Sequence, residues 1–322
     1  MSAITDFFRL GFIRMLSEIR NPVFDFFFLT VTRLGEEFLF MAVALAVFWC
    51  GNKKRGYFLL ITGFLGTVVN QALKITFRVR RPWQIDPSFE PVASAKPAAT
   101  GYSMPSGHTQ VGSTLYGGIA LTAKRRVTMA LGIAAVLLIA FSRLYLGVHT
   151  LADVLMSLGI GIIILIAFDI VFSYVDKNPR VLYAVSAVMI LCALANVIYA
   201  ECAPAPQTQN PLEYAEEAVH LADAAKNAWS LFGAALAFPF ILFFDEKYIR
   251  FDGHATLVWQ IAKVALGLLL LLGVKEGLKV PMDLLCGDLL FKHAIRYFLT
   301  VCAAGIFYPW LFRFIPKKEK TA

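Results

Sequence analysis

The chain has 322 residues, of which 58% are hydrophobic and 16% charged, with a mean hydropathy of +0.67. A soluble domain of this size would carry a largely charged surface, so the composition excludes one. The formal charge of +8 is scattered through short loop clusters, which fits membrane orientation and argues against nucleic acid as a partner.

The opening residues, MSAITDFFRLGFIRMLSEIR, lack the basic start and the small-residue cleavage site of a signal peptide. Phe7, Phe8, Leu10, Phe12, Ile13, Leu16 and Ile19 fall mostly on one side of a helix, with Arg9, Arg14 and Arg20 interspersed. That pattern fits an amphipathic helix lying in the membrane interface, and equally one packed on a bundle. About nine apolar segments of spanning character follow, near 34–50, 57–77, 108–123, 127–143, 149–173, 181–200, 229–244, 257–275 and 294–312. The expected fold class is therefore all-α: a polytopic transmembrane helical bundle behind an interfacial N-terminal segment, 1–33.

Loop 202–228, rich in Pro and Gln before an acidic helical-looking section, divides a core of 34–201 from additional helices and a basic tail, 229–322. Lys53 to Arg55, Lys124 to Arg126, Lys177 with Arg180, Lys247 with Arg250, and Lys317, Lys318 and Lys320 fall in alternate loops. The positive-inside rule makes their side cytoplasmic. The opposite side holds Lys96, Lys226, Lys275, Lys279 and Lys292 with the acidic Glu213, Glu216, Glu217 and Asp223. No CxxC pattern occurs among the five cysteines; Cys50, Cys192 and Cys302 read as apolar filler. Cys202 and Cys286 both fall in outward loops, which leaves a disulfide between them open.

Three groups of polar residues sit at the outward ends of successive spans. In KITFRVRRP, Lys74, Arg78 and Arg81 are spaced to share one helical face with Asn70. Lysine and arginine snorkelling to lipid headgroups would explain that group alone. In Pro105-Ser106-Gly107-His108, proline suits a helix start, glycine lets an anion approach, and free N–H groups with the Ser106 hydroxyl suit phosphate oxygens. An ordinary serine cap explains Pro105 and Ser106 but not Gly107 and His108. In SRLYLGVHTLAD, His149 and Asp153 are one turn apart, so a carboxylate can orient an imidazole as nucleophile or base. Arg143 adds a planar fork for phosphate oxygens, although a His-Asp pair on a helix is often only structural. Topology sends all three groups to the same membrane face. A metal site of His108, His149 and Asp153 is the rival arrangement, opposed by the surrounding cations.

The ordered set resembles the type 2 phosphatidic acid phosphatase superfamily of lipid phosphatases. Its pattern, Lys-x6-Arg-Pro, Pro-Ser-Gly-His and Ser-Arg-x5-His-x3-Asp, reads here as Lys74 to Arg81-Pro82, Pro105 to His108, and Ser142-Arg143 to His149 and Asp153. The resemblance implies His149 as a nucleophile forming a phosphohistidine, Asp153 as its orienting group and His108 as general acid. It implies Lys74, Arg81, Ser106, Gly107 and Arg143 as phosphate-binding groups, with no metal and no other cofactor. The implied substrate is a phosphorylated lipid met at the extracytoplasmic face of a cell membrane, a bacterial cytoplasmic membrane in preference to an endomembrane. No obligate protein partner is implied. Undecaprenyl pyrophosphate, phosphatidic acid, a sphingoid-base phosphate or a soluble sugar phosphate offer the same headgroup chemistry, and an alcohol in place of water would make the same residues a lipid phosphotransferase.

Overall fold

The computed structural model describes residues 10–123, 125–206 and 208–315. Phe7, Phe8 and Arg9 of the N-terminal pattern, Lys124, and the basic residues Lys317, Lys318 and Lys320 lie outside the described residues. The protein is 80% helical, with no strand among the described residues. In chain order the principal helices are α1 (Phe12–Glu18), α2 (Pro22–Thr32), α3 (Glu37–Cys50), α4 (Lys53–Phe77), α5 (Gly107–Gly112), α6 (Arg126–Tyr145), α7 (Leu151–Val175), α8 (Val181–Glu201), α9 (Pro211–Phe244), α10 (Leu257–Gly277) and α11 (Phe291–Cys302). α5 runs on through a π-helical turn, Ser113–Gly117, into Gly118–Leu121. Seven helical segments are long and apolar enough to cross a membrane, and α3 is apolar but shorter.

The lipid-facing character of the bundle is visible on α7. Ile162, Ile163, Ile166 and Ile170 are all more than half exposed, an apolar stripe that water would not tolerate. The protein is a polytopic helical membrane protein.

The chain groups into two compact units, Met1–Met41 with Leu59–Ile170, and Ala42–Phe58 with Val171–Ala322. In the first, α1 packs on the bundle: Ile13 is fully buried and, with Leu16, joins Phe89, Ala140, Leu144 and Val154. Arg14 pairs with Asp86. The Ser88 hydroxyl, and then Arg14, hold the Asp86 carboxyl below its ordinary value. The charge that makes this tie is therefore kept at neutral pH and lost only as pH falls through that lowered value. α2 begins where Asn21 accepts hydrogen bonds from the N–H groups of Val23 and Phe24, both 3.1 Å, with Pro22 at the first helical position. Its Phe28 lies against Phe141 and Tyr145 of α6.

The second unit contains α8, although the sequence division placed residues 171–201 with the core. α8 packs along α9, and the acidic section expected within loop 202–228 is the first part of α9, so only 202–210 connects the two helices. The unit's centre is aromatic: Trp49 donates to the Ala304 carbonyl at 3.1 Å and meets Tyr308 edge-on. Ion pairs Lys53–Asp245 and Lys54–Asp176, with the Tyr183 hydroxyl donating to Glu246, hold three of the basic loops together. All five cysteines are free thiols, so Cys202 and Cys286 are unpaired.

Docking of α1 by burial predicts a contrast within one segment. Ile13→Ala should lower stability in detergent by about 2–5 kcal/mol, the cost of emptying a filled core site. Ile19→Ala, at a position 55% exposed, should change it little, both read by thermal and denaturant unfolding.

Candidate active site

All of the predicted site residues belong to the first unit, on four chain segments. Lys74 lies in the last turn of α4, which ends at Phe77. Arg78 then takes a left-handed conformation, φ +46°, and turns the chain. The shared helical face expected for Lys74, Arg78 and Arg81 therefore does not form. The helix has already ended four residues earlier, and Pro82 separately excludes Arg81 from helical ψ. Arg81 accordingly sits at φ −68°, ψ 155°, capping the short helix Pro82–Ile85, with its own N–H donating to Gln84 Oε1 at 2.8 Å.

Leaving the helix is what carries the Arg81 side chain inward, where it is 4% exposed. Its Nε donates to the Gly101 carbonyl at 3.0 Å, Nη2 to Thr100 at 2.6 Å and Nη1 to Val148 at 2.9 Å. Nη1 also stands 2.9 Å from His149 Nε2. The same Nη1 lies 3.4 Å from Nδ1, so one guanidinium donor faces both ring nitrogens. Nδ1 faces Asp153 Oδ2 and Ser103 Oγ, each at 3.5 Å.

Asp153 is held from two sides. Its Oδ2 accepts from the Ser103 hydroxyl at 2.6 Å and the Thr150 N–H at 2.7 Å, while Thr150 Oγ1 accepts from the Asp153 N–H at 3.4 Å. Thr150 and Asp153 thus make a capping box that starts α7. Asp153 Oδ1 is buried with no hydrogen-bond partner.

Ser106 caps α5, accepting from the Thr109 N–H at 3.4 Å and the Thr109 hydroxyl at 3.0 Å. Its N–H donates to the Asp153 carbonyl at 3.2 Å, and its carbonyl accepts from the Ser157 hydroxyl at 2.9 Å. The cap is therefore also the bolt that joins α5 to α7. Pro105, expected to open the helix, precedes the cap; its peptide bond to Met104 is cis, and its carbonyl accepts from Asn70 at 3.4 Å. Beside Gly107 there is open space, with no heavy atom within 4 Å of where a Cβ would stand. His108 is partly buried against Gly35, where a Cβ would come within 2.9 Å of the His108 carbonyl oxygen.

Arg143 is 2% exposed; Nη1 donates to the Thr32 hydroxyl at 2.7 Å, but its buried Nε has no partner. Arg143, His149, Lys74 and Arg81 all lie within electrostatic reach of His108. The exposed carboxylates Glu36 and Glu37 reach Arg143 and Lys74. Among the described residues no three His, Cys, Asp or Glu side chains form a metal-holding group.

Sequence reasoning missed Thr32, Ser103, Thr150 and Arg20. Thr150-x-x-Asp153 is a readable capping signal. The others carry no local signal, because each acts on a residue distant in the chain. Arg20 donates through Nε to the Tyr145 carbonyl at 3.0 Å and through Nη1 to Glu90 at 2.6 Å. It lies under Gly147, whose φ of +71° begins the turn to His149. Tyr145 in turn donates to Asp25 at 2.9 Å. The N-terminal segment, read from sequence as interfacial, thus braces the His149 turn.

The first unit thus buries Arg81, Arg143, His149 and Asp153 and sets Lys74 and the partly buried His108 within electrostatic reach of them. Residues 55–180 match the PAP2 superfamily, and residues 229–320 match the PAP2 superfamily phosphatase, transmembrane extension. The chain carries a PAP2 superfamily domain followed by the transmembrane extension of PAP2 superfamily phosphatases. The last three helices, outside the motif resemblance, correspond to the extension. The chain is 30% identical over 126 residues to an undecaprenyl-diphosphatase of Sulfolobus acidocaldarius, a match covering 39% of this chain and 59% of that protein. The chain thus spans less than two-thirds of that relative's length. No solved structure matches the chain.

Two glycines should answer differently to alanine. Gly147→Ala forces a side chain into the left-handed region and onto Arg20 and Phe89, and should destabilise by more than about 1 kcal/mol. Gly107→Ala meets no atom and should leave thermal unfolding nearly unchanged.

Proposed function

We infer that the protein is a phosphatase acting on the phosphomonoester or diphosphate group of a membrane lipid, with His149 as nucleophile. The observation that carries this reading is the state of the His149 and Arg143 side chains. One Arg81 donor faces both nitrogens of the imidazole, Asp153 Oδ2 lies 3.5 Å from Nδ1, and the Arg143 Nε is buried without a partner. A phosphoryl group would satisfy both: its oxygens would take the N–H of Arg81 that now points at Nε2 and the idle donors of Arg143, freeing the lone pair to attack phosphorus. Asp153 would hold the tautomer and stabilise the imidazolium that develops. His108, across from these cations, would protonate the leaving oxygen and then draw a proton from the water that hydrolyses the phosphohistidine. Lys74, Arg81 and Arg143 would stabilise the equatorial oxygens, and the open space at Gly107 would admit one of them to the α5 backbone.

Similarity to an undecaprenyl-diphosphatase supports a polyprenyl diphosphate as substrate, and the apolar outer face of the bundle suits such a chain. The distribution of basic loops supports an extracytoplasmic site. Within the second unit, Lys53 and Lys54 are tied to Asp245 and Asp176, so loops of the basic set cluster as one cytoplasmic face would require.

Phosphate release from lipid phosphates and diphosphates in detergent is the direct assay. His149→Ala should abolish it and also abolish covalent labelling by radioactive substrate quenched in alkali, where phosphohistidine survives. Arg143→Lys should cost roughly 10²–10³ in kcat, since a point charge does not replace a planar fork. Gly107→Ala should reduce kcat despite normal folding. Turnover by His149→Ala, or full activity of Gly107→Ala, would overturn the assignment of roles.

A further inference from the structure

The second unit holds a cavity of about 240 Å³, lined by Arg250, Lys263, Arg313, Trp310 and Phe312 among others. None of these residues takes part in the site above. Lys263, on α10, is 2% exposed. Its ammonium donates to the Gly253 carbonyl at 3.0 Å and lies 4.6 Å from the Phe312 ring centre. Among the described residues no carboxylate stands within ion-pairing distance of it. A carbonyl and a ring face leave two ammonium protons open, with Asp252 offsetting the charge only through space, an arrangement that an anion would complete.

The remaining lining adds to the positive charge. Arg250 sits at φ +46°, a left-handed conformation that a non-glycine residue adopts only under constraint, where it ends the turn Asp245–Ile249. Its Nε is fixed to the Glu246 carbonyl at 2.7 Å. That leaves the paired terminal nitrogens as a fork. The Arg313 guanidinium lies over the Trp310 ring, 3.5 Å from its centre, a contact that restricts it. The carboxylate in the lining, Asp252, is engaged by His254 at 2.6 Å. Two guanidinium forks and a buried ammonium supply the charge and the donors that phosphate oxygens accept, and apolar side chains such as Phe251 and Phe312 line the rest. In its lining Tyr248 and Trp310 are exposed, the side-chain types that favour the headgroup zone of a bilayer.

We propose that this cavity is a second, non-catalytic anion site that binds a phosphate-bearing group, with an anionic lipid headgroup as the source the exposed aromatic lining favours. Basic pockets between membrane helices recognise such headgroups by charge and shape together. The proposal does not depend on phosphatase activity.

Binding is measured on the full chain in detergent with fluorescent phosphatidylglycerol, a phosphodiester that offers the catalytic site no leaving phosphate. Labelled phosphatidylcholine serves as the neutral control, and unlabelled inorganic phosphate and ATP as soluble competitors. The wild-type protein should prefer the anionic lipid, and the doubly substituted Arg250→Gln, Arg313→Gln protein, altered at two exposed positions, should bind it at least about tenfold more weakly. Lys263→Met should lose binding while unfolding at the same or a higher temperature, because an apolar side chain of similar size replaces a buried charge. Displacement by phosphate or ATP at concentrations comparable to the lipid would keep the site and assign its ligand to the soluble pool. Equal affinity in wild type and the double variant, or for the neutral lipid, would sink the proposal. So would a Lys263→Met protein that unfolds early yet binds normally, since Lys263 would then be only a strut.

Discussion

One guanidinium organises the first unit. Arg81 hands hydrogen bonds to the carbonyls of Thr100, Gly101 and Val148 and to the imidazole of His149, drawing together two loops far apart in sequence. In an apolar bundle such a charge has no water to fall back on, so every donor needs a fixed partner or a ligand. The loops that supply those partners are thereby held to one geometry. His149 inherits its position from this arrangement, and Asp153, tied to Ser103 and Thr150, inherits its own from the start of α7.

Around that centre the polar groups divide into those that are complete and those that are not. Ser106, Ser103 and Thr150 have their hydrogen bonds filled by protein and act as joints between helices. The Arg143 Nε and Asp153 Oδ1 have none, although both are buried. Filled joints thus stand beside one unfilled donor and one unfilled acceptor, so the rigidity of the region comes from the joints and not from the charged groups. The second unit shows the same division at Lys263, with a single carbonyl where an ammonium could take three acceptors.

The N-terminal helices add support from outside the motifs. Arg20 grips the Tyr145 and Glu90 carbonyls under the Gly147 turn, and Ile13 and Leu16 fill the space beside Phe89 and Leu144. An amphipathic pattern states only that one side is apolar; it does not say whether lipid or protein will cover it. Here protein covers Ile13, while Ile19 and Met15 stay exposed, so one helix serves both surfaces.

What the amino-acid sequence determined by itself was the all-helical membrane class and the identity of the polar residues at the helix ends. Hydrophobic runs long enough to span a bilayer, and charges placed against that background, are local properties of the chain. The capping box at Thr150 was equally local and open to reading. Tertiary structure alone decided that Arg81 turns away from the α4 helix to meet His149, that Thr32 and Ser103 serve the site, and that α8 joins the later helices. Those outcomes depend on hydrogen bonds and packing between segments separated by tens of residues or more, and one-dimensional spacing carries no term for them.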